Sequence, residues 1–201
     1  MRKEKQPYHH GDLRISLITA AKDILQTSGL NSLSIRKLAE KTSVSRAAPY
    51  HHFKDKNELL CAIAEDGFLQ QDALIEKELI LSDESDPALR FEKFILAFLR
   101  FASKNREQYD LMYGGTIWKN GTPTETLSNV SKTSFKLWLG EIDKLQQAGV
   151  LKQTASALRL AQVTWATLHG LCNLTNDRIY IDPKDVDDMG RTAVKLLLTQ
   201  K

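Results

Sequence analysis

The sequence predicts an all-α fold, and three observations carry that prediction. Apolar residues recur at three- and four-residue spacing in one segment after another. No segment keeps the strict alternation of a half-buried strand. Each periodic run is bounded by helix punctuation: Ser or Asp before it, Gly or a polar break after it. With 42% hydrophobic residues in 201, the chain can build a real core and is too apolar to stay disordered. About nine helices are expected, with an N-terminal three-helix domain in residues 1–55 and a second helical domain, opening on a long connecting helix, in residues 56–201.

Residues 1–10 form a short basic arm with Arg2, Lys3 and Lys5, suited to lie along phosphates or a minor groove. Helix one is expected from about Asp12 to Ser28, with Leu13, Leu17, Ala21, Ile24 and Leu25 on its apolar face. Gly29 stands where a left-handed cap is wanted, and Leu30 closes it. Helix two, Ser34 to Lys41, opens on Ser34 as N-cap and buries Ile35, Leu38 and Ala39. Thr42-Ser43 breaks the pattern, and Val44 plugs the angle that follows. Helix three is expected from Ser45 to His52, capped by Ser45. Pro49 lacks a backbone donor and restricts Ala48, so that helix should start tight or irregular.

Two short helices joined by a tight turn, with Phe53 returning to the core, make a helix-turn-helix over about residues 34–53. Its second helix fits a major groove about 12 Å wide. Arg46 can bridge guanine O6 and N7, Ala47 can meet a thymine methyl, and Tyr50 and His51 project from the same side. Ser34, Arg36, Ser45, Lys54 and Lys56 lie where helix starts meet the backbone and would fix register. His52 suits phosphate contact and core packing equally. Charge agrees: residues 1–60 hold 11 Lys/Arg against 6 Asp/Glu, the remainder 17 against 19, so the basic end is the end with the motif.

Three blocks in order, YHHGDLR at 8–14, GLNSLSIRKLA at 29–39 and VSRAAPYHHFKDKNELL at 44–60, resemble the N-terminal domain of the TetR family of bacterial transcriptional regulators. TWATLHGL at 164–171 is similar to a Trp…His-Gly element in the C-terminal domain of one subgroup. The resemblance implies a homodimer, a near-palindromic double-stranded DNA operator and a small effector bound in the C-terminal half.

Downstream, Asp55 caps a helix from Lys56 to about Leu81, about 39 Å long at 1.5 Å per residue and too long for the N-terminal domain alone. Gly67 lies near its middle, either for close packing or as a point of flexure. Further helices are expected at Pro87–Ser103, Arg106–Met112, Thr124–Ala148 and Ser156–Thr175, and a last one after Asp182-Pro183; 114–124 reads as a loop. The last two carry apolar residues on more than one face, with small Ala166 and Gly170, and are predicted to pair with a second copy. Phe98, Tyr109, Met112, Trp118, Trp138, Trp165 and His169 combine rings with polar handles and are the predicted lining of an apolar effector pocket.

Cys61 and Cys172 sit within apolar helical patterns and are expected to be buried thiols. No Cys/His cluster has metal-ligand spacing, no Gly-rich phosphate loop occurs, and no cofactor is expected. No secretory signal and no run of about 18 apolar residues is present, so a cytoplasmic protein without membrane contact is predicted. The reading is a transcriptional regulator, expected to repress until effector binds. The alternatives are an architectural DNA-binding protein without a small ligand and a small α-helical enzyme that would use His169 as a base.

Overall fold

A computed structural model of the chain describes residues 10–177 and 182–199; the basic arm of residues 1–9 lies outside them. The helices are α1 (His10–Ser28), α2 (Ile35–Lys41), α3 (Lys56–Ile75), α4 (Pro87–Lys104), α5 (Arg106–Tyr113), α6 (Gly115–Trp118), α7 (Glu125–Gln147), α8 (Ala157–Asn176) and α9 (Val186–Leu197). Short 3₁₀ turns stand at Leu30–Ser32, Ala48–His51 and Pro183–Asp185. The described residues contain no strand; an antiparallel bridge pairs Leu151 with Leu198.

Two compact units divide the chain. Among the described residues, the first comprises 10–66 and 107–127, the second 67–106, 128–177 and 182–199. The division between these units falls inside α3, between Asp66 and Gly67. The physical reason lies in the helix. Its first half buries Leu59, Leu60, Cys61, Ala62, Ile63 and Ala64, apolar almost without interruption, and that surface belongs to the core of the first unit.

The first unit is held by α1 lying against α2, with Leu17, Ala21, Ile24, Leu25, Leu38 and Phe53 inside. Gly29 has the positive φ expected of it (73°), but with ψ 172°. That is the mirror-extended region open almost solely to glycine, not a left-handed helical cap. Two adjacent carboxylates tie this unit together. Glu65 accepts from Thr124 Oγ1 (3.0 Å) and faces Arg14 at 3.8 Å. Asp66 accepts from Lys22 Nζ (2.8 Å) and from Gln108 Nε2 (3.0 Å). Burial pushes the Glu65 carboxyl up, and the Thr124 hydroxyl and Arg14 partly offset that.

In the second unit α4 packs against α8 and α9. Gly190 explains how closely α9 approaches: a Cβ there would lie 2.8 Å from Leu99 Cδ1. Ion pairs Arg100–Asp187 and Arg191–Glu92 flank that contact. The far half of α3 ends in a π-helical turn, Glu76–Ile80, closed by Leu81 N–H donating to the Glu76 carbonyl at 2.8 Å. Both cysteines are buried.

Candidate nucleic-acid interface and effector site

The reading head is built by local polar contacts. Ser34 Oγ accepts from the Lys37 amide (3.2 Å), starting α2 where the sequence puts it. Thr42 Oγ1 donates to the Leu38 carbonyl (2.9 Å) at the other end. Ser43 then turns the chain with φ 56°, the left-handed region, although it is not glycine. Ser45 Oγ accepts from the Ala48 amide at 3.2 Å. Beyond Phe53, Asp55 Oδ1 accepts from the Glu58 amide (2.8 Å) while Glu58 Oε2 accepts from the Lys54 amide (2.7 Å), a reciprocal cap that fixes the start of α3.

Helix three departs from expectation. In place of an α-helix from Ser45 to His52 there is one 3₁₀ turn, Ala48–His51. Its amides close three residues back: Ala48 on Ser45, Tyr50 on Ala47 and His52 on Pro49, at 3.0–3.1 Å. Pro49 has no amide to offer the Ser45 carbonyl, so the α spacing loses a bond there and the tighter one wins.

Arg46, Ala47, Tyr50 and His51 are all exposed, while Pro49 and Phe53 are buried, so the four predicted reading residues share the outer side of this element. Among the predicted backbone contacts, Ser34, Ser45 and Lys54 are exposed at helix starts, and the hydroxyls of Ser34 and Ser45 are engaged as caps. Arg36 is exposed and paired with Glu40 at 3.1 Å. His52 is half-buried, with its ring 6.4 Å from that of Phe53. Lys56 is half-buried, and its Nζ donates to the Leu30 carbonyl (3.0 Å) within the first unit. A lysine one turn into a helix looks the same in sequence whether it points to solvent or to a carbonyl 26 residues earlier.

The seven predicted effector residues are drawn from both compact units. Tyr109, Met112 and Trp118 belong to the first unit, where Trp118 Nε1 donates to the Met112 carbonyl at 2.8 Å. Trp118 lies on α6, a helix inside the stretch read as a loop. Phe98, Trp138, Trp165 and His169 belong to the second unit and meet. The Trp165 ring stands 5.2 Å from both Phe98 and Trp138, and 5.1 Å edge-on from His169. Phe94 extends the cluster, 5.2 Å from Trp138. Trp138 is fully buried and its Nε1 donates to the Ala161 carbonyl (3.2 Å), so its polar handle is used within the core. Trp165 and His169 are only half-buried. Burial pushes the His169 imidazole down to about 4, so it is neutral at physiological pH.

Sequence reading missed a buried polar group in the second unit. Gln71 Nε2 donates to Ser134 Oγ (2.7 Å), and Ser134 Oγ donates to Asp72; Gln71 and Ser134 are buried. Burial raises the Asp72 carboxyl. Adjacent polar residues in a helix read as a solvated face, which is why these escaped notice. Among the described residues no group of three His, Cys, Asp or Glu side chains is placed to hold a metal ion, and no helix is long and apolar enough to cross a membrane.

On α8 the outer face carries Val163, Ala166, Gly170 and Leu174, all exposed, with Val163 at 59% and open space over Gly170. On α9 Val186, Gly190 and Val194 are buried, whereas Met189, Ala193 and Leu197 are half-exposed and Leu196 is 68% exposed.

Residues 17–63 match the family described as bacterial regulatory proteins, tetR family, and residues 91–197 match the tetracyclin repressor-like C-terminal domain. A Rhodococcus sp. RHA1 protein of unknown function is 33% identical, with TM-score 0.79, over 97% of this chain and 100% of that one. A putative TetR-family transcriptional regulator from Rhodococcus shares the fold at 16% identity, TM-score 0.73, over 92% of this chain and 98% of that one. An uncharacterized HTH-type transcriptional regulator of Haemophilus influenzae is 29% identical over 85% of this chain and 86% of its own length. The nucleoid occlusion factor SlmA of Photorhabdus laumondii is 31% identical, but the match spans only 52% of either chain. The chain thus spans about half the length of that relative.

Proposed function

Because this chain belongs to the TetR family of DNA-binding transcriptional regulators, we propose that it binds a near-palindromic operator as a homodimer and represses until a small apolar or aromatic effector is bound. The observation that carries the reading is the capped helix-turn-helix whose outer side offers Arg46, Ala47, Tyr50 and His51 together. Arg46 and Ala47 read bases; Tyr50 and His51 divide between base edges and phosphate. Lys54 and Lys56, at the start of α3, contact phosphates. A regulator of this kind acts where the chromosome is, in the cytoplasm.

The second copy docks on α8 and α9. The exposed ridge of Val163, Ala166, Gly170 and Leu174 lets helices approach closely, and Met189, Ala193 and Leu196 supply apolar area beside it. A two-fold axis there makes the surface self-complementary and sets two reading heads about 34–36 Å apart. The effector enters at Trp165 and His169, the half-buried edge of the ring cluster. Neutral imidazole edge-on to the Trp165 indole, which itself stands against Trp138, favours an uncharged, flat molecule. Because α3 runs through both compact units, a shift of its far half is the route to the reading head. By linkage, DNA weakens effector binding by the factor with which effector weakens DNA binding.

Selection from a randomised duplex library tests the reading. A two-fold site with half-sites about 10–10.5 base pairs apart is expected, with a dimeric mass in sedimentation. A monomer, or a site without two-fold symmetry, would refute it. A second reading, favoured by the half-length match to nucleoid occlusion factors, is a DNA-bound factor working without a small ligand. Chromosome-wide mapping separates the two: sites dispersed over the chromosome speak for the second, a few sites at promoters for the first.

A further inference from the structure

We infer that Pro49 is a specificity-determining positioning residue, which sets the base register by locking the reading head into a single 3₁₀ turn. The inference rests on the DNA-reading assignment above and goes beyond it, because Pro49 faces the core and reaches no base.

The hydrogen bonds show how the lock works. In an α-helical head the amide of residue 49 would close on the Ser45 carbonyl, and the ring of proline would clash with that carbonyl. Here the Ser45 carbonyl instead takes the Ala48 amide at 3.1 Å, and Ser45 Oγ takes the same amide at 3.2 Å. The Pro49 carbonyl then accepts from both His52 (3.0 Å) and Phe53 (2.9 Å), which pins the exit of the turn to the buried Phe53. The Ala48, Tyr50 and His52 amides are thus committed to the tighter spacing and Pro49 has none to offer, while the Phe53 amide closes four residues back, on Pro49, where the chain leaves the turn.

The consequence for readout is geometric. Ala47 and Tyr50 are three residues apart, one full 3₁₀ turn, so they eclipse each other about 6 Å apart along the axis. In an α-helix the same two residues would stand about 4.5 Å apart and about 60° out of line. A swing of that size at the base of a tyrosine carries its hydroxyl several ångströms, more than one base step of about 3.4 Å. His51, next in the turn, moves with it. The residue at position 49 therefore decides which base steps Tyr50 and His51 face for a given seat of Arg46 and Ala47.

The test is sequence selection on the full-length protein with a randomised duplex library, comparing wild type with Pro49→Ala and with the bulkier Pro49→Val. Tyr50→Ala and His51→Ala, selected in parallel, identify the base positions that those side chains read. The expected result is that both proline variants lose or change preference at those same positions by about tenfold in enrichment, with preference at the Arg46 positions kept. Circular dichroism and thermal melting confirm that the variants compared are folded. If either folded variant selects the wild-type sequence with uniformly weaker binding, Pro49 is only a packing residue and the inference is overturned. If wild type itself selects no sequence, the DNA-reading assignment has failed, a result distinct from failure of the proline lock alone.

Discussion

In the first unit the side chains offered to a ligand stand outside the core: Arg46, Ala47, Tyr50 and His51 are exposed, on a frame capped by Ser34, Ser45 and Asp55. In the second unit the rings that would meet a small molecule are continuous with the core. Trp138 is fully buried, Phe98 likewise, and only Trp165 and His169 reach its edge. DNA is a large, rigid polyanion and must be met on a surface. A small apolar molecule is bound best where water is already excluded. A binding surface and a core differ in composition, whereas an apolar pocket and a core do not.

The largest expected effect sharpens this contrast. Trp138→Ala should destabilise the protein by about 3–5 kcal/mol, because it removes a fully buried indole and leaves a cavity among the rings packed on it. Denaturant titration measures it. A loss below about 1 kcal/mol would mean that Trp138 lines an adaptable pocket after all, as the sequence first suggested.

This is also where sequence reading reached its limit. The caps, the turn and the first-unit core were legible because they depend on neighbours within four residues: Ser34 and Lys37, Asp55 and Glu58. Buried and lining aromatics have the same helical spacing, so the sequence does not separate Phe98 and Trp138, which are fully buried, from Trp165 and His169, which are half-buried. The contact of Lys56 with Leu30, and the pairing of Gln71 with Ser134, join residues 26 and 63 positions apart and leave no local signal. Pro49 gave a partial one: its missing donor announced irregularity, but not that the whole element would be a 3₁₀ turn.

The next effect is one of pH. Burial lowers His169 to about 4 from an ordinary 6.5, so the unfolded chain binds the proton more readily than the folded one. The stability due to the neutral imidazole is complete above about pH 6.5 and is lost as pH falls towards about 4, an effect of at most about 3 kcal/mol. Asp72 and Glu65, raised by burial, act in the opposite sense. The difference between wild type and His169→Phe isolates the histidine. Melting temperatures of the two should diverge on acidification, wild type falling faster; parallel curves would show that His169 is hydrated and protonates freely.

Arg46→Ala tests the exposed side of the comparison. It should cost about 1–3 kcal/mol of affinity for a selected operator and relax preference at one base pair. The melting temperature should not move, since Arg46 is exposed. Fluorescence anisotropy with the selected duplex and its single-base variants measures this. An equal loss on every duplex would reassign Arg46 to phosphate contact.

The smallest effect concerns the turn between the two helices of the motif. Ser43 is the non-glycine residue with positive φ among the described residues, at 56°. An L-residue pays about 1–2 kcal/mol for the left-handed region, and glycine does not. Glycine in turn loses more entropy on folding, roughly 0.5–1 kcal/mol relative to alanine. The two terms leave a net gain of at most about 1.5 kcal/mol for Ser43→Gly. Because Ser43 is exposed and the carbonyls it follows are already served by Thr42 and Val44, the substitution should change no packing. The gain should therefore appear as a higher denaturation midpoint with an unchanged slope. A lower midpoint would mean that the serine side chain, and not the backbone angle, stabilises the turn, and that this functional surface depends on a contact its neighbours in sequence do not reveal.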